Sequence, residues 1–306
     1  MHIDPLLALG GLTVGIAVGM TGMGGGALMT PVLIIFFGVA PSTAISSDLV
    51  AAMFMKPVGG FIHLRRKAVN LRIVGLLALG SVPAAFLGAW LLSLLHASAN
   101  AEKKIQIVLG SALLIGCVAM ALRAYLGQHR DHDLDGAEAR AITARPALTV
   151  LIGALGGVMV GLTSVGSGSL IMVMLLAVYP MAKARGLVGT DIVQAIPLTM
   201  AAALGQLVFG HIEFSLTAAI LVGGIPGVII GSLLAHRAPE RILRPIIGLV
   251  LLASGLKYIG VPPTVLGLVI AVAVIITLSV SFLVRSVNDD EVHHHEDQFT
   301  GPSIPV

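Results

Sequence analysis

The sequence predicts an all-α, polytopic membrane protein built from two inverted repeats, and three observations support this fold class. Hydrophobic residues make up 57% of the 306 residues and charged residues only 11%, with a mean hydropathy of +1.01. That composition lies far outside the range of soluble domains. A glycine-rich pattern occurs twice in the chain. The third observation is a series of apolar stretches that approach or exceed the roughly 20 residues needed to cross a bilayer: 44–63, 73–95, 105–122, 188–209, 215–235, 245–259 and 264–284.

The duplication is visible residue by residue. At an offset of 142, Gly11, Gly15, Gly19, Thr21, Gly24, Gly26 and Leu28 recur as Gly153, Gly157, Gly161, Thr163, Gly166, Gly168 and Leu170. At an offset of 143, Asp48, Ala52, Gly80, Pro83, Gly88 and Leu91 recur as Asp191, Ala195, Gly223, Pro226, Gly231 and Leu234. Paired interruptions in duplicated apolar segments are the best sequence indicator of a transport site in a membrane carrier.

Each repeat begins with an apolar segment that glycines interrupt, at residues 6–37 and 148–178. Either segment is one long tilted span, or two half-helices that enter and leave on the same face. Because cytoplasmic loops carry the excess of Lys and Arg, the basic residues discriminate between these alternatives. Single crossings divide them nine to eight, whereas hairpins place 14 on one face and only Lys103, Lys104 and Lys257 on the other. We therefore expect a broken, re-entrant helix hairpin in each repeat.

The hairpins determine the rest of the predicted topology. Each repeat then crosses the membrane three times, an odd number, so the two copies are inverted and the N-terminus lies outside. A seventh crossing follows the repeats and leaves the C-terminus in the cytoplasm. The predicted divisions are a first membrane repeat at 1–126, a polar cytoplasmic linker at 127–146, a second membrane repeat at 147–260, an extra transmembrane helix at 261–285 and a polar tail at 286–306.

The two interruptions read GMTGMGGG at residues 19–26, the first break, and GLTSVGSG at residues 161–168, the second break. Unpaired backbone at membrane depth is tolerated only where protein or a water-filled cavity satisfies it, so the breaks should line a cavity. The second half-helix of each hairpin then starts near the midplane, with free N–H groups that favour an anion. Helix packing is the alternative role for such glycines, and we expect it for Gly11, Gly15 and Gly19, which are spaced by four.

The predicted anion site combines glycine backbone, neutral hydroxyls and one lysine. Its substrate-binding residues are Thr21, Gly22, Gly24, Gly25, Gly26, Lys56, Thr163, Ser164, Gly166, Ser167 and Gly168. Lys56 is the one basic residue inside a span, and about nine residues, or roughly 13 Å of helix, separate it from Arg65. An ammonium at that depth either faces a cavity or partner, or extends along its stem to the interface.

Asp48 and Asp191 occupy equivalent positions near the starts of their spans. One interpretation is a carboxylate at a helix N-terminus, stabilised by the helix dipole. The other is a protonatable group that couples transport to protons. Gln194, His63 and Gln206 are weaker candidates of the second kind.

Other chemistry is not indicated. Two clusters of histidine and acidic residues, at 129–135 and 293–297, are expected to be solvated polar connectors, although short His-rich tracts can bind metal. We therefore predict no metal site and no cofactor. The net charge of +3 is too small to indicate nucleic-acid binding. Without a catalytic triad order, a phosphate loop or a nucleotide signature, the chain is not predicted to be an enzyme.

At these residues the sequence resembles the sulfite exporter TauE/SafE family of bacterial membrane carriers, over residues 6–285. The resemblance rests on GMGGGAL at residues 22–28 with SVGSGSL at 164–170, and on GSVPA at 80–84 with GGIPG at 223–227. It implies transport of sulfite, sulfonates such as sulfoacetate, or related sulfur oxyanions across the bacterial cytoplasmic (inner) membrane. The second break matches the family pattern less closely, because serines replace two of its glycines.

The sequence thus predicts a secondary transporter that moves small sulfur oxyanions by alternating access. Export is the expected direction, because each negative charge leaving an inside-negative cell gains about 2.3 kcal/mol per 100 mV. The expected partners are a small inorganic or organic anion and the lipid bilayer, with monomer and homodimer both open. Two alternatives are a non-transporting membrane scaffold or assembly protein, and a proton-coupled cation carrier that uses Asp48 and Asp191.

Overall fold

The structure is a computed structural model that describes residues 4–21, 26–64, 69–97, 100–128, 145–179, 184–234 and 240–273. All regular secondary structure in these ranges is helical. The helices are α1 (Pro5–Thr21), α2 (Gly26–Phe37), α3 (Pro41–Leu64), α4 (Leu71–His96), α5 (Ala101–Gln128), α6 (Pro146–Thr163), α7 (Leu170–Val178), α8 (Ala184–Phe209), α9 (Phe214–Leu234), α10 (Glu240–Ile259) and α11 (Pro263–Ala273).

Within the described ranges, five helices are long and apolar enough to cross a membrane: Leu71–His96, Ala101–Leu122, Pro146–Thr163, Leu187–Phe209 and Phe214–Leu234. Their outward faces carry large apolar side chains, and Leu79 and Val118 are each 67% exposed. Apolar surface on this scale is compatible with lipid as the surrounding solvent and not with water. The chain is therefore a polytopic helical membrane protein, as the sequence predicts.

The chain divides into two units, residues Met1–Gly260 and Val261–Val306. The first unit holds α1 to α10. The second holds α11, a short apolar helix that covers the first part of the predicted extra span at 264–284. The rest of that span lies outside the described residues, as do the two clusters of histidine and acidic residues.

The first helix of each repeat packs against a helix of the other repeat. α1 packs against α9 of the second repeat, and its equivalent α6 packs against α4 of the first. A Cβ atom at Gly15 would lie 2.6 Å from the Gly224 carbonyl oxygen, and one at Gly157 would lie 2.5 Å from the Ser81 carbonyl oxygen. Gly157 is the repeat of Gly15, and Gly224 is the repeat of Ser81, so one contact is a copy of the other. The packing role expected for the glycines spaced by four is confirmed.

Each broken segment folds back on itself as a hairpin. The Phe37 ring at the end of α2 lies 3.1 Å from where a Cβ atom at Gly10, near the start of α1, would be. Tyr179, the repeat of Phe37, follows α7, and its hydroxyl accepts a hydrogen bond of 2.9 Å from the Arg145 N–H at the start of α6. Thr149, in the first turn of α6, also hydrogen-bonds that hydroxyl. The two ends of each segment therefore lie together, which excludes a single tilted span.

The equivalent helices α3 and α8 contact each other in opposite directions. Ser46, near the start of α3, donates a hydrogen bond of 2.8 Å to Gln206, near the end of α8. Beyond the end of α3, the Asn70 N–H donates to the hydroxyl of Thr190, near the start of α8, at 3.1 Å. A two-fold axis that relates two antiparallel helices runs perpendicular to them, so this contact is compatible with inverted copies. The orientation of the copies in a bilayer stays a prediction.

Inverted copies predict which loops share a face of the membrane. We expect single cysteines introduced as Ala97→Cys and Glu213→Cys, in a Cys117→Ala background, to react with an impermeant maleimide from the outside. The reason is that the rings of His96 and His211 lie 4.0 Å apart, so both loops reach the same side. Arg145→Cys should react only after permeabilisation. Labelling of the first two positions from opposite sides would contradict inversion.

Candidate functional site

The second break is a tight, buried reversal whose backbone requires glycine at two positions. α6 ends at Thr163, and Ser164 adopts a left-handed φ of 62° while its N–H bonds the Val160 carbonyl at 2.7 Å. Gly166 and Gly168 have φ values of 118° and 101°, in a region that residues with a side chain rarely adopt. The backbone reversal therefore accounts for both glycines.

The first break contacts the second. Gly22, Gly24 and Gly25 lie outside the described residues, so their predicted role stays a prediction. α2 begins at Gly26, where an added Cβ atom would overlap the carbonyl and the hydroxyl of Ser164. Two of the predicted site residues, one from each repeat, are thus packed directly against each other.

The carboxylate of Asp48 joins α2, α3 and the second break. The residue is 2% exposed, so its charge is removed from bulk solvent. Its Oδ2 atom accepts one hydrogen bond from the Thr30 hydroxyl, at 2.8 Å, and one from the Ser164 hydroxyl, at 2.7 Å. Hydroxyl donors of this kind partly replace the hydration that a buried carboxylate loses.

The interpretation of the two aspartates as helix N-terminal carboxylates is wrong. α3 begins at Pro41 and α8 at Ala184, so Asp48 and Asp191 both lie in the second to third turn of their helices. The stabilisation of a carboxylate by the helix dipole is confined to the first turn. Both aspartates are buried instead, and Asp191 is 4% exposed.

Lys56 reaches the second break. Its Nζ atom donates a hydrogen bond of 2.8 Å to the Ser167 hydroxyl, and its charge interacts with those of Asp48 and Asp191. Since Lys56 follows Asp48 by about two turns, or roughly 12 Å of helix, α3 holds the second break at two points, Ser164 and Ser167. The alternative that this lysine extends to the membrane interface is therefore wrong.

The two predicted threonines use their hydroxyls within their own helices. Thr21 donates to the Ala17 carbonyl at 2.8 Å, and Thr163 donates to the Met159 carbonyl at 2.6 Å. Thr163 also accepts the Val165 N–H at 3.2 Å and so closes the end of α6. The threonine hydroxyls therefore bond backbone carbonyls of their own helices, whereas the hydroxyls of Ser164 and Ser167 bond charged side chains.

Gln206 and Gln194, two of the weaker candidates, connect helices. Gln206 accepts from Ser46 and donates to the Gly161 carbonyl at 3.0 Å. That carbonyl belongs to the last turn of α6, where the helix no longer supplies a partner. Gln194 donates to the Ser81 hydroxyl at 2.8 Å and so links α8 to α4. The side chain of His63 lies outside the described residues.

Thr30 is the site residue that the sequence reasoning missed. It is fully buried, at 0% exposure, and supplies one of the two donors to Asp48. The equivalent position in the second repeat is Met172, so a search for residues that recur passes over it. A hydroxyl one turn after the first break, in the otherwise apolar helix α2, is the signal that identifies it.

Paired half-helices that meet inside a membrane-spanning bundle are the architecture of a membrane transporter. This class of protein is also what the comparison with known sequences gives. The chain belongs to the sulfite exporter TauE/SafE family, whose family model matches residues 7–258. The resemblance seen in the sequence is confirmed.

The relatives have names of the same class. The chain is 40% identical to probable membrane transporter protein YjnA of Bacillus subtilis (strain 168), over 83% of this chain and 98% of the relative. It is 24% identical to probable membrane transporter protein YdhB of the same organism, over 79% and 94% of the two chains. A probable membrane transporter protein of Xylella fastidiosa (strain 9a5c) is 26% identical over 82% and 92%. No solved structure matches the chain.

The backbone of the second break makes a prediction about stability. Gly166→Ala should lower the free energy of unfolding by about 1–3 kcal/mol, because alanine is strained at a φ of 118°. Thermal unfolding in detergent measures this change. Gly75→Ala is the matched control, since that glycine is exposed, helical and has open space around it. Equal melting temperatures for the two variants would contradict the assignment.

Proposed function

We propose that this protein is a secondary transporter of small sulfur oxyanions, such as sulfite or an organosulfonate like sulfoacetate. The substrate rests where the two breaks meet and is exposed alternately to each side of the membrane. The protein lies in the bacterial inner membrane with its N-terminus outside and its C-terminus in the cytoplasm. The observation that carries the proposal is the packing of Gly26 against Ser164, which brings the two breaks together inside the protein.

The chemistry around this contact suits an oxyanion. α2 starts at Gly26 and α7 starts just after the second break, so two helix N-termini lie beside the breaks. Their free N–H groups and positive dipole ends favour negative charge. Lys56, which is bonded to Ser167, adds a full positive charge. Fixed dipoles and one lysine bind an oxyanion without a second counter-ion that must also be desolvated.

The exchange of helices between the repeats supports alternating access. The α1–α9 and α6–α4 contacts use equivalent residues, so the two halves of the molecule have the same interface available to them. A structure with two equivalent interfaces can open one while the other stays closed, and inverted repeats use this property. Export is the proposed direction, because an inside-negative potential drives any net negative charge outward.

A scaffold or assembly protein is the weaker alternative, because it gives no reason for two breaks that meet inside the bundle. A cation carrier that uses Asp48 is also less well supported. The Oδ2 atom of that carboxylate already accepts hydrogen bonds from two hydroxyls, so in this conformation its lone pairs are not available to coordinate a cation.

The proposal predicts selective anion flux. Proteoliposomes should release preloaded radiolabelled sulfite at least about tenfold faster than protein-free liposomes, a barrier difference of about 1.4 kcal/mol. Sulfate, thiosulfate, chloride and sodium serve as comparison solutes in the same assay. A Ser111→Ala protein is the control for variants, since Ser111 is exposed and its hydroxyl bonds only its own helix. The proposal would be contradicted if no sulfur oxyanion showed flux, or if the flux of sodium equalled that of sulfite.

Lys56 makes a second prediction about affinity. Lys56→Met should weaken sulfite binding by about tenfold or more, because a positive charge near the anion is lost. Lys56→Arg keeps the charge and should keep most of the affinity. Competition binding in detergent measures both variants. Unchanged affinity in Lys56→Met would show that the lysine only holds Ser167 in place.

A further inference from the structure

The hydroxyl donors at the contact between the breaks are already occupied by an anion, the carboxylate of Asp48. The hydroxyl of Thr30 comes from the first turn and a half of α2, and that of Ser164 from the start of the second break. Both point to the same oxygen atom, Oδ2, at 2.8 and 2.7 Å. A substrate oxyanion bound at this contact would need the same kind of donor.

The charges around the contact also disfavour a further anion. Among the described residues, Lys56, which donates a hydrogen bond to Ser167 of the second break, interacts with the charges of two aspartates, Asp48 and Asp191. With both carboxylates ionised their sum is −1, because two negative charges accompany one positive charge. A second negative group within a few Å of a buried carboxylate is strongly disfavoured, since the low local dielectric screens the repulsion poorly.

We propose that Asp48 takes up one proton when the substrate anion binds, so that one proton travels with each anion. The inference deepens the proposed transport function and rests on it. A protonated Asp48 releases the hydroxyls of Thr30 and Ser164 from an ionised acceptor and offers an O–H donor of its own. The added proton also offsets the charge of the incoming anion, and the three side chains then sum to zero before the anion arrives.

The inference assigns this role to Asp48 and not to its repeat Asp191. The position equivalent to Thr30 is Met172 in the second repeat, and the position equivalent to Ser164 is Gly22 in the first repeat. Neither residue has a hydroxyl, so this pair of donors to Asp48 is not repeated at the positions equivalent to it. Both repeats therefore have the buried carboxylate, but only Asp48 has the two hydroxyl donors of Thr30 and Ser164. Asp48 is the aspartate that competes with the substrate anion for these donors.

The coupling has a consequence for the driving force. A singly charged sulfonate that travels with one proton moves no net charge, so the membrane potential does not drive it. A doubly charged anion such as sulfite still carries one net negative charge outward. The inference is therefore compatible with export of sulfite driven by the membrane potential.

Titration calorimetry with methanesulfonate tests the inference directly. A sulfonate stays ionised throughout the neutral range, so any proton taken up on binding goes to the protein. Purified full-length protein is titrated in two buffers of different ionisation enthalpy, and the difference in measured heat gives the number of protons bound. The wild type should take up about one proton per anion, and its affinity should fall by up to about tenfold per pH unit where Asp48 is ionised.

Two variants and a control locate the proton. Asp48→Asn should bind methanesulfonate with no proton uptake and no pH dependence over this range, whereas Asp48→Glu should keep the uptake. Asp4→Asn, a matched change at an exposed carboxylate that bonds the Leu6 N–H, should behave as wild type. In proteoliposomes, an imposed membrane potential should drive methanesulfonate flux by Asp48→Asn but not by the wild type.

The outcomes separate this inference from the transport proposal. Binding and flux in the wild type without proton uptake would overturn the coupling and leave the transporter assignment intact. Proton uptake that persists in Asp48→Asn would overturn the role of this residue. If Asp48→Asn does not fold, the wild-type proton count alone still decides whether coupling occurs. No binding or flux of any sulfur anion would overturn both proposals.

Discussion

Backbone groups freed inside a bilayer must find partners within the protein, and the architecture of this chain follows from that constraint. Each break lies between the end of one helix and the start of the next, and residues 163–168 of the second break are buried. The second break satisfies its freed groups locally through Thr163 and at a distance through Gln206, which bonds the Gly161 carbonyl. The remaining exposure is reduced because Gly26 of the first break packs on Ser164. The second break is therefore held by Gly26 of the first break and by the Asp48 and Lys56 side chains of α3.

Glycine permits the packing of the helices and the reversal of the second break in two physically different ways. At Gly15 and Gly157 it removes a Cβ atom, so that helices of opposite repeats approach backbone to backbone. Such contacts substitute for the hydrophobic effect, which does not drive helix association in lipid. At Gly166 it supplies a φ value that other residues rarely adopt. A count of glycines cannot separate these roles, because one depends on a neighbouring helix and the other on the local backbone.

The charged residues show how a duplicated chain becomes asymmetric. Asp48 and Asp191 are equivalent in sequence, yet the serine and threonine that bond Asp48 have no hydroxyl-bearing counterparts in the other repeat. The position equivalent to Lys56 in the second repeat is Thr199, and Ser167, the partner of Lys56, stands where the first repeat has Gly25. The polar network therefore crosses from α3 of the first repeat to the second break. The helix contacts are thus repeated in the two halves of the chain, whereas the polar network is not.

The sequence by itself determined the membrane class, the duplication, the positions of the breaks and the family, because hydropathy and recurring glycines are local or periodic features of the chain. It also indicated the hairpins through the distribution of basic residues. Only the tertiary structure decided that Asp48 lies inside α3 and bonds Thr30 and Ser164, and that Lys56 turns to Ser167. Those partners are 18, 116 and 111 residues apart in the chain. Contacts across such distances arise from the folding back and exchange of helices, which no local pattern specifies.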